Sequence, residues 1–474
     1  MNPWETYLIE HKDQFVGELL ELLCIPSISS LPDHKSHVQG AAEWIAARMD
    51  AAGIESVRIM PTNGHPVVYG DWLHAPGKPT ALIYGHFDVQ PVDPLELWEN
   101  QPFEPAIKGD RIYARGANDD KGNLFIPITV AEAMLNTQAG LPLNLKFLFE
   151  GQEEIGSPQL PDFISANKAL LACDLVLSAD GSQWAEDQPA LVLGTRGLAA
   201  LLIDVQGPDH DLHSGTYGGT VANPIHALVS ILASMHDADG KVTIPGFYDD
   251  VRPLSDDEQA QMARLPFDRD AYLSETGAMD LFGEPGYTSY ERAWARPTLE
   301  INGIYGGFQG SGVKTVLPST AHAKVTCRLV ADQDPSTMTE RVVAHVNSVT
   351  PAWVRITATK AEGGAMPYLV PADHQGMRIA ATVLSDLYGT PPYHIRSGGT
   401  IPVNSLFLQY LNTYTIVFAF GLRDECAHSP NEFFRISSFE KGQRAYGMLF
   451  NRLAEELGRE NPQSSRKGQR MGKH

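Results

Sequence analysis

The sequence contains few cysteines, and none of them are paired in sequence. Cys24, Cys173, Cys327 and Cys426 lie far apart, so the C-x-x-C spacing of a zinc ribbon or a redox site is absent. Isolated cysteines predict reduced thiols rather than a disulfide framework. We therefore expect a protein of the cytoplasm.

Long apolar runs and an excess of basic residues are also lacking. No segment approaches the roughly 18 apolar residues of a membrane span, and the start of the chain lacks a leader pattern. The net charge is −21, whereas nucleic-acid binding needs clustered Lys and Arg. The one basic run, residues 466–470, lies in a polar tail that is predicted to be disordered. We expect neither a nucleic-acid nor a membrane partner.

Motifs of several other enzyme classes are missing. The sequence has no H-E-x-x-H, no G-x-S-x-G and no phosphate-binding Gly-Lys-Ser/Thr. The Gly-rich segment 303–312 lacks the G-x-G-x-x-G spacing of a dinucleotide site and is interpreted as a turn-rich loop. A helical single-zinc protease, a serine hydrolase of the nucleophile-elbow type and a P-loop enzyme are thereby disfavoured.

Short apolar runs alternate with helical patterns in the first part of the chain. Residues 80–84, 143–149 and 175–177 predict buried strands, and residues 124–135 predict a helix between two of them. A strong strand is predicted at 414–420. This pattern is typical of an α/β sheet domain that the C-terminal hundred residues rejoin.

A different pattern begins after Arg196. Strands near 198–205, 321–330 and 354–359 flank helices, an arrangement that favours a small split βαβ, ferredoxin-like α+β layer. The acidic stretch 249–291 is predicted to be irregular. We therefore predict a catalytic domain of residues 1–196 and 371–474, with an inserted lid or dimerisation domain of residues 197–370.

Acidic and histidine side chains follow each predicted strand of the first domain. In open α/β sheets, ligand sites form beyond the carboxyl ends of the strands, where loops converge. Asp, Glu and His are also the ligands of divalent metals. The pattern by itself leaves open both a metal site and an ordinary acidic surface. The segments concerned are His86-Phe87-Asp88, residues 116–122, Glu153-Glu154, Asp180-Gly181 and the loop that carries His428.

Together with His213-Ser214-Gly215, these motifs resemble those of the co-catalytic metallopeptidases, the family of aminoacylase, glutamate carboxypeptidase and carnosinase. Thr195-Arg196-Gly197 and residues 312–318 and 396–402 are similar to the carnosinase-like, cytosolic non-specific dipeptidases. Ser397 and Cys426 depart from that pattern, since relatives often carry Glu and a small residue there. Both departures concern the preferred substrate and not a metal ligand.

The resemblance implies two divalent metal ions per subunit, for which we expect Zn²⁺, with Mn²⁺ and Co²⁺ also compatible. Asp119 would bridge the ions through a loop with a cis peptide before Asp120. Asp88 would hold the ring of one ligand through its other nitrogen. The five implied metal ligands are His86, Asp119, Glu154, Asp180 and His428.

The resemblance also implies the catalytic groups. Because neighbouring residues of a strand point to opposite faces, Glu154 can bind metal while Glu153 faces the attacking water as general base and acid. His213 is the implied oxyanion donor, reaching the site of a partner subunit in a homodimer formed by the inserted domain. Arg328 is the first candidate for binding a free substrate carboxylate, and Thr315, Thr400 and His374 are weaker ones.

These residues predict a metal-dependent dipeptidase. An N-acyl amino acid deacylase or desuccinylase, or a metallocarboxypeptidase, would use the same residues and stays open. A third hypothesis is an inactive, amino-acid-binding dimeric scaffold.

Overall fold

A computed structural model describes residues 1–361 and 363–457. The chain forms two compact units, the first comprising Met1–Leu191, Val370–Tyr393 and Leu406–His474 and the second Val192–Leu369 and His394–Ser405. The two units differ from the predicted domains at residues 192–196, 370 and 394–405, and in the last segment Gly398 and Thr400 are hydrogen-bonded to Arg196 and Arg328 of the second unit. The basic run 466–470 and its predicted disorder lie outside the described residues.

The first unit is built on a six-stranded mixed sheet. Its last four strands run parallel to one another, and the other two pair antiparallel. In spatial order the strands are Glu55–Met60, Val67–Trp72, Asn144–Glu150, Thr80–His86, Leu175–Ser178 and Thr415–Val417. In one small sheet, Arg111–Tyr113 is the central strand between Phe433–Arg435 and Ala106–Lys108, and in another, Gly421–Leu422 pairs with Ser182–Gln183.

Burial explains why the parallel strands are continuous apolar runs. The strands Thr80–His86 and Asn144–Glu150 are buried at every position after the first, so both of their faces are covered. The helix Gly122–Thr137 is also buried all round its first thirteen residues, as expected of a helix inside a core. The predicted strand 414–420 is shorter in the structure, Thr415–Val417. Other helices include Pro3–Glu10, Lys12–Leu23, Lys35–Ala51, Leu160–Ala166, Gln375–Tyr388, Pro402–Leu411 and Ile436–Glu456.

The second unit contains a four-stranded antiparallel sheet with β-α-β-β-α-β order along the chain. Inward residues alternate with outward ones on Thr320–Leu329, and two helices, Pro224–Ala233 and Pro335–Val349, supply apolar side chains to the same core. The ferredoxin-like α+β prediction is confirmed. In spatial order the strands are Thr298–Gly306, Thr320–Leu329, Gly197–Gln206 and Arg355–Lys360.

The segment 249–291 is not irregular as predicted. It contains the helices Asp256–Met262 and Arg269–Thr276, and Ser289–Trp294 begins at its end. Ser255 and Thr288 each cap a helix through a capping box with a Glu three residues later. Nowhere in residues 1–361 and 363–457 is a helix both long enough and apolar enough to span a bilayer.

Candidate metal centre and active site

The parallel strands of the first unit end at one edge of the sheet. Thr80–His86 pairs in parallel register with Asn144–Glu150 and with Leu175–Ser178. Leu175–Ser178 in turn pairs in parallel with Thr415–Val417. The polar residues that end or follow these strands therefore meet at the carboxyl edge, as the sequence predicts.

The structure brings the five predicted ligands together in two overlapping groups. One group is His86, Asp119 and Asp180, and the other is Asp119, Glu154 and His428, with all ligand atoms of a group within 4.8 Å of one another. His86 Nε2 lies 3.0 Å from Asp119 Oδ1, and His428 Nε2 lies 2.9 Å from Asp119 Oδ2. Each oxygen of Asp119 thus faces a different histidine, which is the geometry of a bridging carboxylate.

The charges of the cluster fit divalent cations. Burial, Asp119 and Glu154 raise the pKa of Asp180 to about 7. Hydrogen bonds to Asp119 and Glu154 raise the pKa of His428 to about 10. For His86, burial lowers the pKa, but the carboxylates of Asp119, Asp88 and Glu153 together outweigh burial, so the pKa rises. Carboxylates this close repel one another unless positive charge lies among them, and nitrogen and oxygen donors of this kind suit zinc and similar ions.

Glu153 and Glu154 lie in the short turn Glu153–Ile155, after the strand and not within it. The strand-alternation argument therefore does not apply, but the two carboxylates still differ in their contacts. Glu154 Oε2 accepts a hydrogen bond from Gln90 Nε2 at 2.7 Å and lies 3.1 Å from His428 Nε2. The Glu153 carboxylate forms no hydrogen bond or ion pair with any residue that the structure describes.

The surroundings of Glu153 act on the pKa of its carboxyl in opposing directions. Burial raises the pKa of this carboxyl well above its usual value; His86 opposes the rise, and Asp180 and Asp119 add to it. Glu153 is thus a carboxyl without a fixed partner beside the candidate ligands.

Asp88 lies against Nδ1 of His86, the ring nitrogen that does not face Asp119. Its backbone oxygen lies 3.1 Å from His86 Nδ1, and its Oδ1 lies farther away, at 3.5 Å. Its two carboxylate oxygens accept hydrogen bonds from the backbone nitrogens of Glu153 and Glu154, each at 3.1 Å. Asp88 therefore orients the histidine mainly through its main chain, and its carboxylate fixes the acidic turn.

Glu432 is a buried residue that the sequence analysis missed. Its carboxylate accepts hydrogen bonds from the backbone nitrogens of Gly116, Asn118 and Asp119 at 2.9 to 3.0 Å. It also pairs with Arg115 Nη1 at 2.7 Å. Glu432 thereby holds the loop that presents the shared carboxylate, in which the peptide between Asp119 and the next residue is cis, as the resemblance implies.

Two other predicted residues are neighbours in the second unit. The strand Leu212–His213 pairs with Val316–Leu317, and Ser214 N donates to Thr315 O at 3.1 Å. His213 and Thr315 are both exposed, and His213 Nδ1 accepts a hydrogen bond from Gly215 N at 3.0 Å. Their catalytic and binding roles stay predictions.

A second predicted pair is also present in that unit. Arg328 Nη1 donates to Thr400 Oγ1 at 2.7 Å, and both side chains are half-buried. His374 lies in the first unit, where its Nδ1 accepts from Gly376 N at 3.2 Å and caps the helix Gln375–Tyr388. Burial lowers the pKa of His374. The hydrogen bond to Thr400 restricts the orientation of the Arg328 guanidinium, and the binding roles of these residues stay predictions.

The family model of peptidase family M20/M25/M40 matches residues 82–452. This range contains all five candidate ligands, from His86 to His428. The chain belongs to this family. The predicted resemblance is thereby confirmed.

Relatives of this M20 peptidase match it over nearly their whole length. The Cys-Gly metallodipeptidase dug1 of Schizosaccharomyces pombe is 32% identical, over 94% of this chain and 96% of its own. Human Beta-Ala-His dipeptidase is 29% identical, over 95% and 92%. The crystal structure of an M20 metallo-carboxypeptidase from Sulfolobus solfataricus is 31% identical with a TM-score of 0.82, over 93% of this chain and 99% of its own.

Proposed function

We propose that this peptidase cleaves the amide bond of dipeptides with two divalent metal ions in the first unit. The observation that carries the proposal is the position of Asp119, whose two oxygens face His86 and His428. A carboxylate shared between two ligand groups would suit the pair of ions of a two-metal hydrolase. The dipeptidase names of the fission-yeast and human relatives support the substrate class.

The proposed ligands divide between two ions. His86, Asp119 and Asp180 would hold one ion, and Asp119, Glu154 and His428 the other. When bound, the ions supply Lewis acidity that polarises a carbonyl and lowers the pKa of water. Imidazole and carboxylate donors suit zinc first, with manganese and cobalt compatible. We therefore propose Zn²⁺ as the resident metal.

Glu153 is proposed to move the proton. It accepts a proton from the attacking water as the new C–O bond forms, and it gives that proton to the leaving nitrogen as the C–N bond breaks. The contacts of the two neighbouring carboxylates favour Glu153 over Glu154 for this role. The Glu153 carboxylate has no partner among the described residues, while its backbone nitrogen is fixed by Asp88. Glu154 is committed to Gln90 and His428.

Substrate recognition is proposed to depend on the free carboxylate. Arg328, held by Thr400, would bind both of its oxygens, with Thr315 and His374 as further candidates. His213 would donate to the oxyanion from the partner subunit of a homodimer. Homodimerisation and a cytoplasmic location stay predictions.

A second candidate function is that of a metallo-carboxypeptidase, which the relative from Sulfolobus solfataricus favours. A carboxypeptidase also releases an amino acid with a free carboxylate, so the same proposed groups would serve. An N-acyl amino acid deacylase or desuccinylase differs only in what is joined to the amine.

A substrate panel tests the proposal. Purified protein with Zn²⁺ or Mn²⁺ would be given dipeptides, the same peptides N-acetylated or N-succinylated, and longer peptides. We expect the highest kcat/KM for free dipeptides. Preference for the acylated compounds would indicate the deacylase, preference for longer peptides would indicate the carboxypeptidase, and no turnover of any compound would contradict hydrolysis altogether.

A further inference from the structure

Arg196 lies directly before the strand Gly197–Gln206 and forms hydrogen bonds with a separate loop of the second unit. Its backbone nitrogen donates to Gly399 O at 3.0 Å, and its side-chain Nε donates to Gly398 O at 3.0 Å. Two consecutive carbonyls of one loop are therefore fixed by a single residue. Arg196 Nη1 is buried and has no hydrogen-bond partner among the described residues.

The loop fits the guanidinium closely. A Cβ added to Gly398 would lie 3.2 Å from Arg196 Nη2 and 3.1 Å from Ala293 O, so a side chain at this position would press on both. Ser397 Oγ accepts a hydrogen bond from Gly399 N at 3.1 Å and closes the turn. The Ser-Gly-Gly sequence thus lets the guanidinium lie against the loop backbone.

The next residue of the loop is Thr400, the hydrogen-bond acceptor of Arg328. Arg196 and Arg328 are also near enough to repel, since burial lowers the pKa of Arg196 to about 10 and Arg328 contributes to the decrease. Neither guanidinium forms an ion pair with a carboxylate that the structure describes. Arg196 is therefore not placed there to neutralise a buried charge, and its bonds go to the loop backbone.

We infer that Arg196 is a positioning residue for substrate binding, which fixes the loop 398–400 so that Thr400 holds the Arg328 guanidinium in one orientation. The inference rests on the proposed function, in which Arg328 binds the free carboxylate of the substrate. An oriented guanidinium can bind both oxygens of a carboxylate at once, whereas one that rotates freely loses that advantage.

The first test compares Arg196→Ala with Arg292→Ala. Arg292 is a matched control in the same unit, because its side chain likewise donates to backbone carbonyl oxygens, in its case those of Phe282 and Glu284. We expect Arg196→Ala to raise the KM for dipeptides about tenfold, the effect of losing one charged hydrogen bond, with kcat changed less than about threefold. Arg292→Ala should leave KM unchanged, and Arg196→Lys should restore part of the binding.

A double-mutant cycle separates positioning from general support of the fold. In a Thr400→Val background, adding Arg196→Ala should raise KM little further, because both changes act through Arg328. The inference would be overturned if the effects of the two substitutions on KM were fully additive. It would also be overturned if Arg196→Ala lowered kcat by as large a factor as it raised KM.

Deuterium exchange provides a readout that does not depend on turnover. Peptides covering 397–401 should take up deuterium faster in Arg196→Ala than in the wild type, and those covering Thr320–Leu329 should not. If the wild type hydrolyses no dipeptide, the proposed function fails by itself. Separately, deuterium uptake in residues 397–401 of Arg196→Ala that equals the wild-type uptake would contradict the positioning role.

Discussion

The candidate residues of the two units differ in how firmly the chain holds them. At the metal centre, the side chain of His86 is fully buried, that of Glu154 is 4% exposed, and the Asp119 loop is fixed by a buried carboxylate. In the second unit, His213 and Thr315 are exposed and bond to near neighbours in their own small hairpin. Burial therefore preorganises His86, Glu154 and the Asp119 loop, while the ligand His428 is 55% exposed and the exposed pair of the second unit is held by its own hairpin.

Removing the shared ligand should have the largest effect. Asp119→Ala takes one ligand from each group, so we expect loss of both ions and of measurable dipeptide turnover. Metal analysis of the purified variant and a turnover assay check this, with the exposed Asp50→Ala as the control. An Asp119→Ala protein that still binds two ions would contradict the bridging role.

Removing His213 tests the exposed candidate residues of the second unit. His213→Ala should lower kcat by about 10² to 10³, the usual cost of an oxyanion donor, without changing the metal content. His210→Ala, three residues earlier and also exposed, is the control. If His213 acts in the partner's site, co-expressing His213→Ala with Glu153→Gln chains should restore turnover through one complete site. Co-expressed chains that stay inactive would place His213 in the site of its own chain.

Glu432→Gln tests whether the buried support of the metal centre matters for metal binding. We expect metal affinity to fall about 10- to 100-fold, as for other groups that orient ligands, measured by competition with a chelator. Glu132→Gln is the matched control, because Glu132 is also a buried carboxylate, bonded to Arg48 and Tyr7 in the same unit. Both variants should have a lower Tm than the wild type. Equal metal affinity in the two variants would show that Glu432 supports only the fold.

The strand-end residues could be predicted because chain order and topology agree at this edge of the sheet. The apolar runs before His86, Glu153 and Asp180 locate the strands, and parallel pairing brings their ends together. The resemblance supplied what the pattern left open, which is the division of these residues between two groups.

Other features depend on contacts that no local pattern reveals. Glu432 lies more than 300 residues from the loop that it holds, and in the sequence it is one carboxylate among 57. The helices within 249–291 were a different case, since S-x-x-E at Ser255 and T-x-x-E at Thr288 are helix-start signals visible in the sequence. The irregular prediction followed the acidic composition of the stretch and did not use these helix-start signals.

Metal content and turnover, measured on the same samples of wild type and Glu153→Gln, separate the proposed roles of the two neighbouring glutamates. We assign metal binding to Glu154 and its partners and proton transfer to Glu153. We therefore expect two divalent ions per chain in both proteins, with kcat about 10² to 10⁴ lower in the variant. Loss of metal from Glu153→Gln, or full turnover by it, would contradict this assignment.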